Sequence, residues 1–167
     1  MVDLRHRERL QPSLLDRLTD DEPGTTQESR AMREFSLLRF RETVLRDLGW
    51  LLNTTNLASA QSLAAYPLVA ESVVNFGVPE LSGRMISTTD GPSLERALRQ
   101  SIAQFEPRIL PHTLKVRLDV NESQMSHNAL TFLIEGDLWA QPTPLRLYLK
   151  TEIDLDLGDV RISPQAG

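Results

Sequence analysis

The carboxylates are the residues of this chain that come nearest to a catalytic arrangement. Glu106 stands alone in the middle of the chain, whereas Glu152, Asp154 and Asp156 occupy alternate positions near the C-terminus. A glycosidase needs two carboxyl groups roughly 5–9.5 Å apart, one of them with a pKa raised by an apolar pocket. Alternate strand residues lie about 7 Å apart, but no sugar-stacking aromatic residues accompany these acids. We therefore interpret the C-terminal acids as the solvated face of a strand and predict no catalytic pair.

Other catalytic and cofactor motifs are missing from the sequence. The chain has no cysteine, which excludes disulfides, thiolate nucleophiles and cysteine-ligated metals. The histidines His6, His112 and His127 are scattered, and none has HExxH or other metal-ligand spacing. There is neither a glycine-rich phosphate loop nor a GxSxG turn. We expect no enzyme activity, no metal and no cofactor.

The segment Glu106-Pro107-Arg108 is the best candidate for a contact site, because it marks the joint between a helical pattern and an alternating strand pattern. Proline fixes its own φ near about −65° and disfavours the helical region for the residue before it, so the two charges sit on stiff backbone. Our hypothesis is that Glu106 and Arg108 form charge-assisted bonds across a subunit boundary, with Pro107 fixing their separation. Glu106→Ala would then abolish assembly and leave the isolated fold intact.

The C-terminal run supplies a second candidate interface. It is long and close to the C-terminus, so we predict that it lies at a sheet edge, where unpaired N–H and C=O groups face a partner strand. In one interpretation the outward acids Glu152, Asp154 and Asp156 select that partner. In the other, the same charges only prevent edge-to-edge aggregation. The sequence leaves both open.

Composition limits the class of protein. With 167 residues, 40% of them hydrophobic and 25% charged, the chain has the size and make-up of one soluble domain. Its formal net charge of −5 argues against nucleic acid as a partner, because a phosphate-tracking protein needs a basic surface. No apolar run reaches the roughly 18 residues of a membrane-spanning helix. Residues 1–10 lack the apolar core of a secretory signal, so we expect a cytoplasmic location without membrane insertion.

The chain divides into an N-terminal extension, 1–34, and a domain, 35–162. Within the extension, a short helix at 13–19 is capped by Ser13, and the acidic, polar segment after it is predicted to be a flexible linker. The apolar turn can pack on its own domain or on a neighbouring subunit, and the sequence does not decide between them.

Two amphipathic helices are predicted in the domain, at 34–52 and 94–105, where apolar residues recur at three- and four-residue steps. Pro67 begins a shorter helix between them. Trp50 and Trp139 are interpreted as buried packing residues in preference to interface anchors.

Beyond the helices the hydrophobic period changes to two. Apolar and polar residues alternate through 113–120, 130–138 and 145–157, with turns at 121–128 and 141–144. Helices followed by strands predict an α+β fold, in which N-terminal helices pack on one face of a C-terminal antiparallel β-meander as a two-layer single domain.

Several stretches, in this order and spacing, closely resemble one family: the TssE baseplate subunit of bacterial type VI secretion systems, related to the lysozyme-like wedge protein of contractile phage baseplates. The resemblance extends over nearly the whole chain. The stretches are Ser13-Leu14-Leu15-Asp16-Arg17-Leu18, Val44-Leu45-Arg46-Asp47-Leu48-Gly49-Trp50-Leu51-Leu52-Asn53-Thr54, Tyr66-Pro67, Ser72-Val73-Val74-Asn75-Phe76-Gly77 and Phe105-Glu106-Pro107-Arg108.

The resemblance implies a structural role in assembly, at a cytoplasmic baseplate associated with the inner membrane. It implies contacts with the other wedge subunits TssF, TssG and TssK, and a link to the contractile sheath proteins TssB and TssC. The fold is shared with a sheath domain that pairs strands with its neighbours. In the family the Glu-Pro-Arg segment is a contact motif, which falls here on Glu106, Pro107 and Arg108. The lysozyme label comes from naming history, and the residues of this chain show no catalytic pair to support it.

Two other functions remain open at the level of sequence. One is a small hydrolase acting on peptidoglycan, which a turbidity assay on purified cell wall would reveal as clearing lost in Glu106→Gln. The other is a regulatory adaptor of the same fold that binds a single partner, which a pull-down from lysate separates from a large assembly.

Overall fold

The computed structural model describes residues 10, 12–19, 37–82, 90–119, 129–140 and 143–165. Helices come first in the chain and strands last, so the α+β prediction is confirmed. The α-helices are α1 (Leu14–Leu18), α2 (Leu37–Leu52), α3 (Pro67–Ala70) and α4 (Gly91–Phe105), with 3₁₀ turns at Leu57–Ser59 and Val73–Asn75. The strands are β1 (Lys115–Asp119), β2 (Ala129–Leu138), β3 (Leu145–Asp154) and β4 (Val160–Pro164).

The helix ends follow the local chemistry of the sequence. Ser13 caps α1 in a capping box: its side chain accepts from the backbone of Asp16, and the carboxylate of Asp16 accepts from the backbone of Ser13. Pro67 lies in the first turn of α3, where its missing N–H costs nothing. Gly77 follows the Val73–Asn75 turn with φ 125°, a conformation that favours glycine.

The sheet is an antiparallel meander in the order β1-β2-β3-β4. Leu118, Phe132, Thr151 and Ile162 are partners across all four strands, so they share one face of the sheet. That face and the apolar stripes of α2 and α4 form one core, because each element has an apolar side that must leave water. The fully buried residues of the core include Phe40, Leu48, Leu98, Ile102, Phe132, Ile134, Leu149 and Ile153.

The prediction of one long C-terminal strand at a sheet edge was wrong. The run splits into β3 and β4, and β3 lies inside the sheet between β2 and β4. The carboxylate of Asp154 accepts hydrogen bonds from the backbone N–H groups of Asp156 (2.9 Å) and Leu157 (3.1 Å), which turns the chain. Gly158, with φ 74°, completes the turn. Apolar residues continue to alternate through this turn, so the sequence pattern predicts one unbroken strand.

Four parts of the sequence predictions fall outside the described residues. They are the linker after α1, residues 34–36 of the first amphipathic helix, the turn at 121–128, and the first half of the turn at 141–144.

Candidate functional site

The joint after α4 carries a buried cluster of charges. Glu106 and Arg108 are only 3% and 7% exposed. Within the pair, Arg108 Nε donates to Glu106 Oε1 at 2.7 Å, and Nη2 donates to Glu106 Oε2. The same Nη2 donates to Asp47 Oδ2 of α2 at 2.6 Å, and Nη1 lies 3.4 Å from Thr43 Oγ1. The guanidinium thus ties the joint to α2.

The hypothesis that Glu106 and Arg108 bond across a subunit boundary does not match this geometry. Both side chains point into their own molecule and satisfy one another there. The reason is local: the backbone N–H of Arg108 donates to Glu106 Oε1 at 3.1 Å and that of Ile109 to the Glu106 carbonyl at 3.1 Å, so the chain turns tightly about Pro107. Pro107 itself is exposed at the tip of this turn. The proline ring is thus the exposed part of the motif.

The helix α1 docks on this cluster in the same chain. The Asp16 side chain is 3% exposed, and its carboxylate lies 2.8 Å from Arg46 Nη2 and 3.8 Å from Arg108 Nη1. The leucines of α1 face the other way, with Leu14 71% and Leu18 74% exposed. The short helix is therefore held by its acid and presents apolar side chains to the outside.

The environment shifts the pKa values of Asp16 and Arg108 toward their charged forms. Burial alone would raise the pKa of Asp16, but hydrogen bonds from Ser13 and Arg46 outweigh it and hold that pKa below its usual value. Burial alone would lower the pKa of Arg108, but the hydrogen bonds and charges of Glu106 and Asp47 raise it above its usual value. Both shifts therefore favour the ion-paired forms of Asp16 and Arg108.

An apolar cleft of about 880 Å³ opens beside the cluster. Its walls come from α1, the C-terminal half of α2, the Val73–Asn75 turn and the joint after α4. Trp50 is 52% exposed in this cleft, with the Arg46 guanidinium 5.0 Å from its ring centre, so the prediction that Trp50 is buried was wrong. The lining side chains include Pro12, Leu14, Leu15, Trp50, Val73, Phe76, Phe105 and Pro107.

The cleft is suited to binding a surface by apolar contact. The carboxylate of Glu106, the one acid predicted to matter here, accepts from three groups of Arg108. Among the described residues, no group of histidine, aspartate and glutamate side chains is arranged to hold a metal ion. Within the same part of the chain, none of the helices combines the length and apolarity needed to span a bilayer.

The C-terminal acids are not part of this site. Glu152 lies on the outer face of β3, where its carboxylate is 2.8 Å from Lys150 Nζ. Asp154 ends β3 and holds the following turn, and Asp156 lies exposed within that turn. The structure therefore does not bring these three acids together on one strand face.

Sequence reasoning missed the other two acids of the cluster, Asp16 and Asp47. Each is an acid at a buried or half-buried position inside an apolar helical motif, Leu14-Leu15-Asp16 in α1 and Asp47-Leu48 in α2. That placement was the available signal, because a charge on the packed side of a helix needs a partner. The partner, Arg108, is remote in sequence and was interpreted as facing outward.

Comparison with known proteins gives one match. The sequence model of a protein family described as baseplate wedge protein gp25 matches residues 38–143. This range contains all but the first residue of α2, and α3, α4, β1, β2 and the Glu106-Pro107-Arg108 joint. No curated protein and no solved structure matches the chain at a significant level.

Proposed function

The chain belongs to the baseplate wedge protein gp25 family, a family of structural baseplate components, and from this premise we propose that it is the TssE-type wedge subunit of a type VI secretion baseplate. In this proposal it docks to the wedge subunits TssF, TssG and TssK in the cytoplasm, at the inner membrane. It also links the baseplate to the sheath proteins TssB and TssC. It acts as an assembly component and turns over no substrate.

The observation that carries the proposal is the cleft beside the Glu106–Arg108 pair. Trp50, Val73 and Leu14 line it and are 52%, 80% and 71% exposed. Exposed apolar side chains of this size, grouped around a cavity, are typical of a protein–protein contact surface. We propose the cleft as the wedge-docking surface.

The occupant that fits this cleft is an amphipathic helix of another wedge subunit. The walls are helices and turns whose own backbone groups are largely bonded within each segment, so the cleft offers side chains and few backbone partners. An extended segment would bury N–H and C=O groups without partners, at a cost of roughly 1–3 kcal/mol each. A helix satisfies its own backbone and presents only side chains.

In this proposal the residues of the joint have different roles. Pro107 contributes to the contact directly, as an exposed ring lining the cleft. Glu106 and Arg108 act from inside, because they brace the joint against α2 and α1 and so fix the shape of the cleft. A rigid cleft loses less conformational entropy when it binds.

The charged outer face of the sheet is the proposed surface toward the sheath. Glu152 on that face and Asp156 in the turn beyond it are exposed, with Asp154 half-buried between them. Exposed charges suit a polar contact that sets orientation and partner choice.

The test of wedge docking is co-expression with TssF, TssG and TssK, followed by recovery of the complex through a tag on TssF. Val73→Asp places a charge in the cleft and is expected to reduce recovery at least about tenfold, because the charge loses its water on docking. The matched control is Leu68→Asp, since Leu68 is 82% exposed on the neighbouring α3 but does not line the cleft.

Each outcome of this experiment is informative. Selective loss with Val73→Asp supports docking at the cleft. Equal recovery for the two variants places the contact elsewhere on the molecule. If the wild-type chain recovers none of the three subunits, the TssE-type assignment fails, whereas membership of the family is unaffected.

A further inference from the structure

Asn53, directly after α2, contacts the outer strand of the sheet through its side-chain carboxamide. Asn53 Nδ2 donates to the carbonyl of Val160 at 2.9 Å, and the backbone N–H of Val160 donates to Asn53 Oδ1 at 2.9 Å. Nδ2 also donates to the Gly49 carbonyl at 2.8 Å, which fixes the side chain against its own helix. An antiparallel neighbour strand bonds a residue through the same two groups. The carboxamide thus stands where a fifth strand would begin.

The pairing of β4 with β3 determines which of its backbone groups face the other side, where no strand of the described residues pairs with β4. The Asp159 carbonyl accepts from the N–H of Asp154 at 2.9 Å, and the N–H of Gln165 donates to the Tyr148 carbonyl at 3.0 Å. Odd-numbered residues of β4 therefore direct their backbone groups toward β3, and even-numbered residues direct theirs away from it. The outward-directed residues are Val160, Ile162 and Pro164.

We infer that Asn53 blocks the outer edge of β4 and so keeps it from pairing with the β4 strand of a second copy of this chain. Antiparallel pairing of two copies about Ile162 is self-complementary, as a two-fold interface requires. In that register Ile162 bonds its own equivalent, and the N–H of Val160 donates to the Pro164 carbonyl of the second copy. Asn53 already holds the N–H of Val160, so only the pair of Ile162 bonds would remain. Because Pro164 has no N–H, the proline weakens the same register further.

The opposite edge of the sheet is closed by the same kind of contact. The N–H of Leu118 in β1 donates to Glu95 Oε1 at 2.7 Å, and Arg99 Nε donates to the carbonyl of Leu114 at 3.1 Å. Both of these side chains belong to α4, which packs along β1. At β4 a single side chain makes both bonds, so one substitution opens this edge. The inference does not depend on the proposed wedge role.

The test is the oligomeric state of the isolated full chain, measured by sedimentation equilibrium from low to high micromolar concentrations. Wild type is expected to remain monomeric, and Asn53→Ala is expected to self-associate at least about tenfold more tightly, because two further hydrogen bonds become available. Adding Ile162→Pro to Asn53→Ala should restore the monomer. The N–H of residue 162 faces outward, so proline there removes no bond to β3.

The matched control is Thr54→Ala. Thr54 Oγ1 donates to the Trp50 carbonyl at 2.7 Å, so this variant weakens the same end of α2 without opening β4. If Thr54→Ala associates as strongly as Asn53→Ala, the association reflects general destabilisation and the inference fails.

Hydrogen exchange at the Val160 amide tests the bond to Asn53 in the monomer, without any self-association. In wild type this edge amide should be protected, and in dilute monomeric Asn53→Ala it should exchange at least about tenfold faster, while Arg161 remains unchanged. Unchanged exchange at Val160, or a monomeric Asn53→Ala at every concentration, would overturn the inference.

Discussion

Arg108 is the residue on which the candidate site depends. Its guanidinium contacts Glu106 in the joint, Asp47 and Thr43 in α2, and Asp16 in α1, so one side chain connects three separate segments. Arginine suits this position because its planar fork donates in several directions and stays charged when buried. Proline between the two charges keeps the turn tight enough for both to face inward.

Glu106→Ala is therefore expected to destabilise the isolated chain. Removing one member of a buried ion pair typically costs about 3–5 kcal/mol, and we expect about 3 kcal/mol here because Asp47 remains paired with Arg108. The measurement is the free energy of unfolding in urea. Glu71→Ala, at the exposed residue directly after α3, is the control and should change stability by less than about 0.5 kcal/mol. Equal stability of the two variants would show that Glu106 is free in the isolated chain, and would restore its role across a subunit boundary.

At the scale of elements, the segment between α2 and α4 is closed by a short bridge. The N–H of Val78 donates to the Thr54 carbonyl at 2.8 Å, and the N–H of Asn56 donates to the Val78 carbonyl at 2.9 Å. Gly77 lies beside this bridge, and a Cβ at that position would collide with the Thr54 carbonyl. The bridge holds the Val73–Asn75 turn, and with it one wall of the cleft.

Gly77→Ala should open this bridge. Its positive φ and the collision together are expected to cost about 1–3 kcal/mol in the free energy of unfolding, with faster hydrogen exchange through 56–78. Gly49→Ala is the matched control, because Gly49 lies in α2 with no atom near the added methyl group. That change should stabilise the chain by about 0.5–1 kcal/mol. A Gly77→Ala protein as stable as wild type would show that the bridge does not form.

In the molecule as a whole, the described part of the N-terminal segment is joined to the body mainly through charge. Leu10 packs against the core, but the leucines of α1 are exposed and its buried side chain is that of Asp16, so α1 depends on the contacts of this acid. The division into an extension, 1–34, and a domain, 35–162, stays a prediction. The docking seen here nevertheless gives one wall of the cleft a polar attachment that can be broken separately from the core.

This attachment should weaken in acid. Because the pKa of Asp16 is lowered on folding, its stabilising contribution is fully present above its unfolded pKa of about 4 and is lost as the pH falls through the lower folded value. The unfolding free energies of wild type and Asp16→Asn should thus differ by a constant amount from pH 7 to about pH 4, then converge below it. A difference that stays constant to pH 2 would mean that Asp16 is not an ionised contact.

Local sequence patterns are enough to predict the class of fold, because periodicity and capping act between near neighbours, whereas the family follows from a match to known sequences over residues 38–143. The helix-then-strand order, the Ser13 cap, the Pro67 start and the apolar faces followed from spacing alone. The turn at Asp154 to Gly158 did not, because leucines continue the strand alternation through it and the bond that makes the turn is a side-chain contact.

Only the tertiary structure decided where the charges point. Arg108 has partners in α1 and α2, which lie far away in sequence. A local sequence pattern cannot predict contacts over such separations. The same holds for Asn53, whose partner Val160 is 107 positions further along the chain. Pairings of this kind depend on how the helices pack across the sheet, and that packing fixes which surfaces remain open to a partner.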